Sequence, residues 1–239
     1  MINKKGFKKM KKILLLGDSI RMGYDNYVKE SMADIAEVYF PEENCAFTTN
    51  ILRNLHGWTD NLKLYEADAV HFNVGHWDTL RIYGDDCLTK PEVYRDNLER
   101  IIKRINFLFP NAKIIFATST PCIESGYIEG FEVRYDKDIR KYNEIACEVM
   151  EKHGIVVNDL YKLLEDKPES YHSDQSHYYT PEATVLMGDR VSEVLCDVLD
   201  LDKSKLIKPD MSKYELRKAV GDKEMYIKRG DIYVCVLGI

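Results

Sequence analysis

The chain has 239 residues, an apolar share of 45% and a net charge of −6. That length suits one domain with an appendage, and a core of that size forms without disulfide staples. The acidic balance argues against a nucleic-acid partner, since phosphate binding wants a basic footprint.

Six cysteines, Cys45, Cys87, Cys122, Cys147, Cys196 and Cys235, are widely spread with no C-x-x-C pair. They read as reduced thiols, which places the protein in the cytoplasm. Residues 1–10 read as a basic leader: the apolar run that follows is too short for a signal peptide. No apolar stretch reaches membrane-spanning length, so no membrane partner is expected.

In chain order, "KILLLG" (12–17) is a short continuous apolar run ended by glycine, the pattern of a buried parallel strand. "AEVYFP" (36–41) is a second strand stopped by proline. "TTNILRNLHGW" (48–58) has helical spacing behind a threonine cap, and "ADAVHFNVG" (67–75) is a third strand. "KPEVYRDNLERIIKRINFLFP" (90–110) is a helix with proline near its first turn, followed by the strand "AKIIFATST" (112–120). A helix over 135–154 with a glycine stop, a short strand "IVVND" (155–159) and a helix over 180–199 complete the pattern. Thr180 is the expected N-cap of that last helix and Pro181 its first residue.

Strands separated by helices imply βαβ units with right-handed crossovers. The expected fold is α/β: a three-layer α/β/α flavodoxin-like sandwich with a mainly parallel sheet of about five strands over residues 11–200. Residues 201–239 form a C-terminal extension, in which 224–238 read as a β-hairpin around Arg229-Gly230-Asp231.

In such sheets functional groups gather at the carboxyl ends of strands. Ser19, in Gly17-Asp18-Ser19, lies there, as a turn and cap residue or as a nucleophile. Near the other end, "YHSDQSHYYTPEA" (171–183) carries Asp174 and His177 three residues apart. They are loop residues capping their neighbours, or a carboxylate behind an imidazole base that activates a serine. His172, Asp174 and His177 are also metal-ligand types, but no glutamate base accompanies them, and neither metal nor cofactor is expected. Cys45 and Cys122 have no visible partner as nucleophiles, and neither a Gly-x-Ser-x-Gly elbow nor a phosphate-cradling glycine loop is present.

Together, Gly17-Asp18-Ser19-Ile20 and Asp174-Gln175-Ser176-His177 resemble the SGNH, or GDSL-type, ester hydrolases. The resemblance implies a triad of Ser19 nucleophile, His177 base and Asp174 orienting carboxylate. It implies a Gly-x-Asn-Asp motif after the third strand, where this chain has Gly75-His76-Trp77-Asp78. Trp77 thus stands where the oxyanion-binding asparagine belongs: the indole N–H fills the role, Asn73 or another donor substitutes, or the role is lost. The backbone N–H groups of Ser19 and Gly75, and the amide near Asn44 or Cys45, are the other expected oxyanion donors. Tyr24, Trp58, Trp77, Tyr178 and Tyr179 are aromatics expected near the cleft, to stack on sugar rings or simply to pack. The implied function is a serine ester hydrolase removing a small acyl group from a polar or carbohydrate alcohol. The rival is a non-catalytic module of the same fold binding a glycan or a protein. Transfer to another alcohol is a third reading that the residues do not separate from hydrolysis.

Overall fold

The computed structural model describes residues 10–127 and 131–218. The hairpin expected over 224–238 and the leader over 1–10, Met10 apart, lie outside the described residues. In chain order the elements are β1 (Lys11–Leu16), α1 (Ser19–Ser31), β2 (Ala36–Tyr39), α2 (Thr48–Asn61), β3 (Ala69–Asn73), β4 (Arg81–Ile82) and α3 (Pro91–Leu108). There follow β5 (Lys113–Ala117), β6 (Glu132–Val133), α4 (Asp136–Lys152), β7 (Val156–Asn158), α5 (Leu160–Leu164) and α6 (Pro181–Leu199).

Five strands form one parallel sheet in the order β2-β1-β3-β5-β7. The run Ile13 to Leu16 is wholly buried because helices cover both faces. The two-residue period of a strand divides it: Ile13 and Leu15 join the apolar cluster with α1 and α6, while Leu14 and Leu16 join the one with α2, α3 and α4. Each such side chain contributes about 1.5–3 kcal/mol relative to exposure. The flavodoxin-like three-layer sandwich expected from the sequence is therefore the fold.

The strand order places a switch point between β1 and β3. The chain leaves β1 for β2 on one side and returns to β3 on the other, opening a crevice at their carboxyl ends. Ser19 and the residues after Asn73 emerge there. The small antiparallel ribbon β4–β6, with Arg81 opposite Val133 and Ile82 opposite Glu132, is built from the loops that follow β3 and β5.

Helix α1 was not expected from the apolar spacing, because two charges occupy its buried face. Arg21 and Asp25, one turn apart, are both buried and form an ion pair, and Arg21 also donates to the Glu43 carbonyl (2.7 Å). Helix α2 also departs from expectation. Thr48 is its first residue, not its cap, and Phe47 at the N-cap contributes no side-chain hydrogen bond. The carboxylate of Asp78 accepts from the Thr48 backbone N–H (3.1 Å) and hydroxyl (2.6 Å) instead. Thr180 does cap α6, accepting from the Ala183 N–H (3.3 Å), with Pro181 first in the helix.

Helices α1 and α6 pack on the same face, where the Tyr27 hydroxyl donates to Asp189 (2.8 Å). This contact joins the helix that begins at Ser19 to the helix that follows His177. Beyond α6 the chain returns along the pair: the Ile207 N–H donates to the Ser31 carbonyl (2.8 Å) and Tyr214 packs edge-on to Tyr27. Among the described residues, no helix is long and apolar enough to cross a membrane.

Candidate active site

Asp18 ends the β1 loop as N-cap of α1. Its buried carboxylate accepts from the Ile20 N–H (2.9 Å) and from the Asn73 side-chain amide (2.8 Å). Burial raises its pKa, and the two hydrogen bonds and the charges of His177 and Arg134 oppose that rise. The Asp18–Asn73 bond spans the crevice between β1 and β3. Gly17 is required by it: a Cβ at this position would lie 2.0 Å from Asn73 Oδ1. Ser19 follows as the first residue of α1, half-buried, at the helix end where backbone N–H groups lack intrahelical partners.

The loop before α6 folds around Asp174. Its Oδ1 accepts the N–H groups of Ser176 (2.9 Å) and His177 (2.8 Å), and its Oδ2 lies 2.7 Å from His177 Nδ1. Burial would raise the Asp174 pKa, but the bond and charge of His177, with the two backbone donors, lower it to about 2. The carboxylate thereby fixes the tautomer with Nδ1–H and leaves Nε2 as the basic nitrogen.

Tyr179 joins the two segments. Its ring stacks on the His177 imidazole (centroids 4.8 Å apart, planes at 28°), and its hydroxyl donates to the Ser19 carbonyl (2.7 Å). Gly23 makes room for this ring, since a Cβ there would meet Tyr179 Cδ1 at 2.9 Å. The loop is also braced from β5: Ile123 N–H donates to the Gln175 carbonyl (2.8 Å) and the Tyr178 hydroxyl to the Pro121 carbonyl (3.2 Å). The two ends of the chain that carry Ser19, Asp174 and His177 thus meet at one edge of the sheet.

The other predicted site residues divide. Gly75 opens the turn after β3, and its carbonyl accepts the Thr79 N–H (2.9 Å). Trp77 is partly exposed on that turn, under the Arg134 guanidinium at 6.0 Å. His76, between them, is buried, with Nε2 3.0 Å from Thr120 Oγ1, and burial is the main cause of its pKa falling to about 3. Asn73 is wholly buried and its amide serves Asp18, so it supports the β1 loop instead of facing an oxyanion.

The Cys45 amide must be withdrawn as an oxyanion donor, because it donates to the Gly17 carbonyl (3.0 Å) and ties the β2–α2 loop to the Gly17-Asp18-Ser19 loop. Burial pushes its thiol up to about 11, and that of Cys122 to about 12, which opposes thiolate chemistry at either. Asn44 turns its side-chain oxygen to the Ala46 N–H (2.8 Å). Ala46 of this loop is in the left-handed region (φ 51). Of the aromatics expected at the cleft, Tyr24, Trp58 and Tyr178 belong to the core, and Tyr179 is buried against His177. Only Trp77 keeps partial exposure.

Residues 15–183 match the family model described as "GDSL-like Lipase/Acylhydrolase family". The chain belongs to the GDSL-like lipase/acylhydrolase family. No curated protein matches the sequence significantly. Among solved structures, it is similar to a lipase/acylhydrolase from Enterococcus faecalis, with 24% identity and a TM-score of 0.62 over 84% of this chain and all of the other. A putative acylhydrolase from Bacteroides fragilis aligns over 81% of this chain and 90% of its own, with 16% identity and a TM-score of 0.64. An acetylxylan esterase from Geobacillus stearothermophilus aligns over 81% and 95%, with 10% identity and a TM-score of 0.59. At these identities the neighbours establish the fold, and the GDSL-type family supplies acylhydrolase chemistry.

Proposed function

We propose that this GDSL-type acylhydrolase is a serine ester hydrolase in which Ser19 is the nucleophile, His177 the general base and Asp174 its orienting carboxylate. The observation that carries the reading is the chain of contacts Asp174–His177–Tyr179–Ser19. Ser19 Oγ attacks the ester carbonyl while His177 Nε2 takes its proton. Asp174, held ionised well below neutral pH, stabilises the imidazolium that forms. The tetrahedral oxyanion is held by the Ser19 N–H at the start of α1 and by the Gly75 N–H. His177 returns its proton to the departing alkoxide. It then activates water to release the acid and restore the serine.

The substrate we propose is a small acyl ester of a polar or carbohydrate alcohol. Its support is the likeness to acetylxylan esterases and the partly exposed Trp77 beside the site. A cytoplasmic location and the absence of nucleic-acid and membrane partners belong to the same reading. The indole at position 77 favours a second reading, a binding module with no turnover.

Turnover of p-nitrophenyl acetate by the wild type and by Ser19→Ala tests the proposal. The expected result is turnover by the wild type and loss of activity in Ser19→Ala. Equal rates in the two proteins remove the nucleophile. No turnover by a folded wild type selects the binding module.

A further inference from the structure

Arg134 follows β6 directly and is buried, with 7% of its surface exposed. Arginine is seldom buried at this level unless paired, and Nη1 pairs with Glu132 (3.1 Å). Besides this pair and a contact with the Tyr127 hydroxyl, the side chain makes two contacts that fall on consecutive residues of one turn. Nε donates to the His76 carbonyl (2.9 Å), and the guanidinium lies over the Trp77 ring. Trp77 makes no side-chain hydrogen bond to any described residue, and the Arg134 guanidinium lies 6.0 Å from its ring centroid. The same turn opens at Gly75 and closes at Asp78, which caps α2.

We propose that Arg134 is a positioning residue of the active site: by gripping the His76 carbonyl and covering the Trp77 indole, it fixes the 75–78 turn so that its donors face the ester carbonyl attacked by Ser19. The proposal rests on the triad reading above. The turn occupies the place where family members carry an asparagine side chain. A carboxamide could be oriented by hydrogen bonds of its own, whereas an indole offers one N–H and a broad face. A planar cation with a fork of donors can hold the ring by its face and the peptide by its oxygen at once, which a lysine cannot. The positive charge has a second effect. It already favours the ionised form of Asp18, the neighbour of Ser19. The same field favours the negative charge that develops on the substrate oxygen. The ribbon β4–β6 thereby acquires a purpose: it carries Arg134 from the β5 side of the crevice to the turn on the β3 side.

The test is steady-state kinetics on p-nitrophenyl acetate with Arg134→Met, Arg134→Lys, Trp77→Phe, the double variant Arg134→Met/Trp77→Phe, and Ser19→Ala as reference. Misplacing the turn should lower kcat by about 10- to 100-fold in Arg134→Met, with KM held within about threefold. Arg134→Lys, which keeps the charge but not the fork, should fall between that variant and the wild type. Because Arg134 acts through Trp77, the losses in the double variant should be clearly less than the product of the single losses. A wild-type kcat in Arg134→Met, alongside an inactive Ser19→Ala, overturns the proposal and leaves the triad intact. So does a rise in KM at constant kcat, or a fully multiplicative double variant. A Ser19→Ala as active as the wild type defeats the triad reading itself. Should Arg134→Met fail to fold, the position of Arg134→Lys decides: wild-type kcat overturns the proposal and an intermediate kcat supports it.

Discussion

The Tyr179 hydroxyl donates to the Ser19 carbonyl across 2.7 Å, while the ring of the same tyrosine lies against His177. One side chain therefore sets the distance between two segments that the fold brings together from opposite ends of the family domain. Tyr179→Phe keeps the stack and loses the bond. A neutral hydrogen bond contributes about 1 kcal/mol, so kcat should fall about fivefold. Tyr179→Ala removes both contacts and should lose about 100-fold. Wild-type kcat in both variants would mean that the tyrosine does not align the site.

Asp174→Asn tests the carboxylate behind the base. The substitution preserves shape but no longer enforces the Nδ1–H tautomer, and kcat should fall by about 10³–10⁴ with little change in KM. The Asp174 pKa is depressed, so its stabilising contribution is present above the ordinary carboxylate value and is lost as pH falls through about 2. Protonation of Asp174 should therefore leave no step in kcat/KM between pH 3 and 5, and a step there that is absent in Asp174→Asn would contradict this.

Gly17→Ala probes the crevice between β1 and β3. The added methyl would collide with Asn73 Oδ1 at 2.0 Å and with Arg21 Cβ at 2.7 Å, both on buried side chains. Urea unfolding should register a loss of about 3 kcal/mol. Activity should fall further than stability explains, because Asp18 and Ser19 must move with the backbone. A variant as stable as the wild type would show that the contact relaxes without cost.

Acid should weaken the fold well above the carboxylate range. Burial lowers the pKa of His71 to about 4 and is the main cause of the fall of His76 to about 3, from 6.5. The unfolded chain then binds protons that the native state refuses, so stability is full above pH 6.5 and declines as pH falls below it. Asp78 acts in the opposite sense. Burial raises its pKa from 3.8 to about 6, so the folded state takes up a proton first in that window. Asp18 and Asp25, whose pKa values burial also raises, act with Asp78, so the histidine contribution is read by comparison: between pH 7 and pH 5 the wild type should lose more unfolding free energy than His71→Gln. Urea titrations giving the same pH dependence in both proteins would refute the buried neutral state of His71.

The five strands were legible because each is a short apolar run bounded by glycine, proline or polar residues, and burial on both faces makes such runs continuous. The Gly17-Asp18-Ser19 and Asp174-Gln175-Ser176-His177 segments were legible as motifs because each is locally closed: Asp18 caps the helix that Ser19 begins, and Asp174 accepts the N–H groups of Ser176 and His177. Helix α1 was not, since Arg21 and Asp25 break its apolar face and only their mutual pairing makes them internal. The cap of α2 was hidden for a different reason: its acceptor, Asp78, comes from a distant turn. Ribbon β4–β6 is two residues on each side, too short to leave a period. The loop aromatics were open to two readings, stacking on a sugar or packing, because an aromatic in a loop looks the same in sequence either way; Tyr24, Trp58, Tyr178 and Tyr179 pack, and Trp77 alone of the five is partly exposed.

All five strands of the main sheet have been synthesised once the ribosome passes Asn158, yet Asp174, His177 and α6 come later. A nascent chain halted there holds Ser19 but neither Asp174 nor His177. Under the proposed triad, hydrolytic competence should therefore arrive only once the final helix docks on α1.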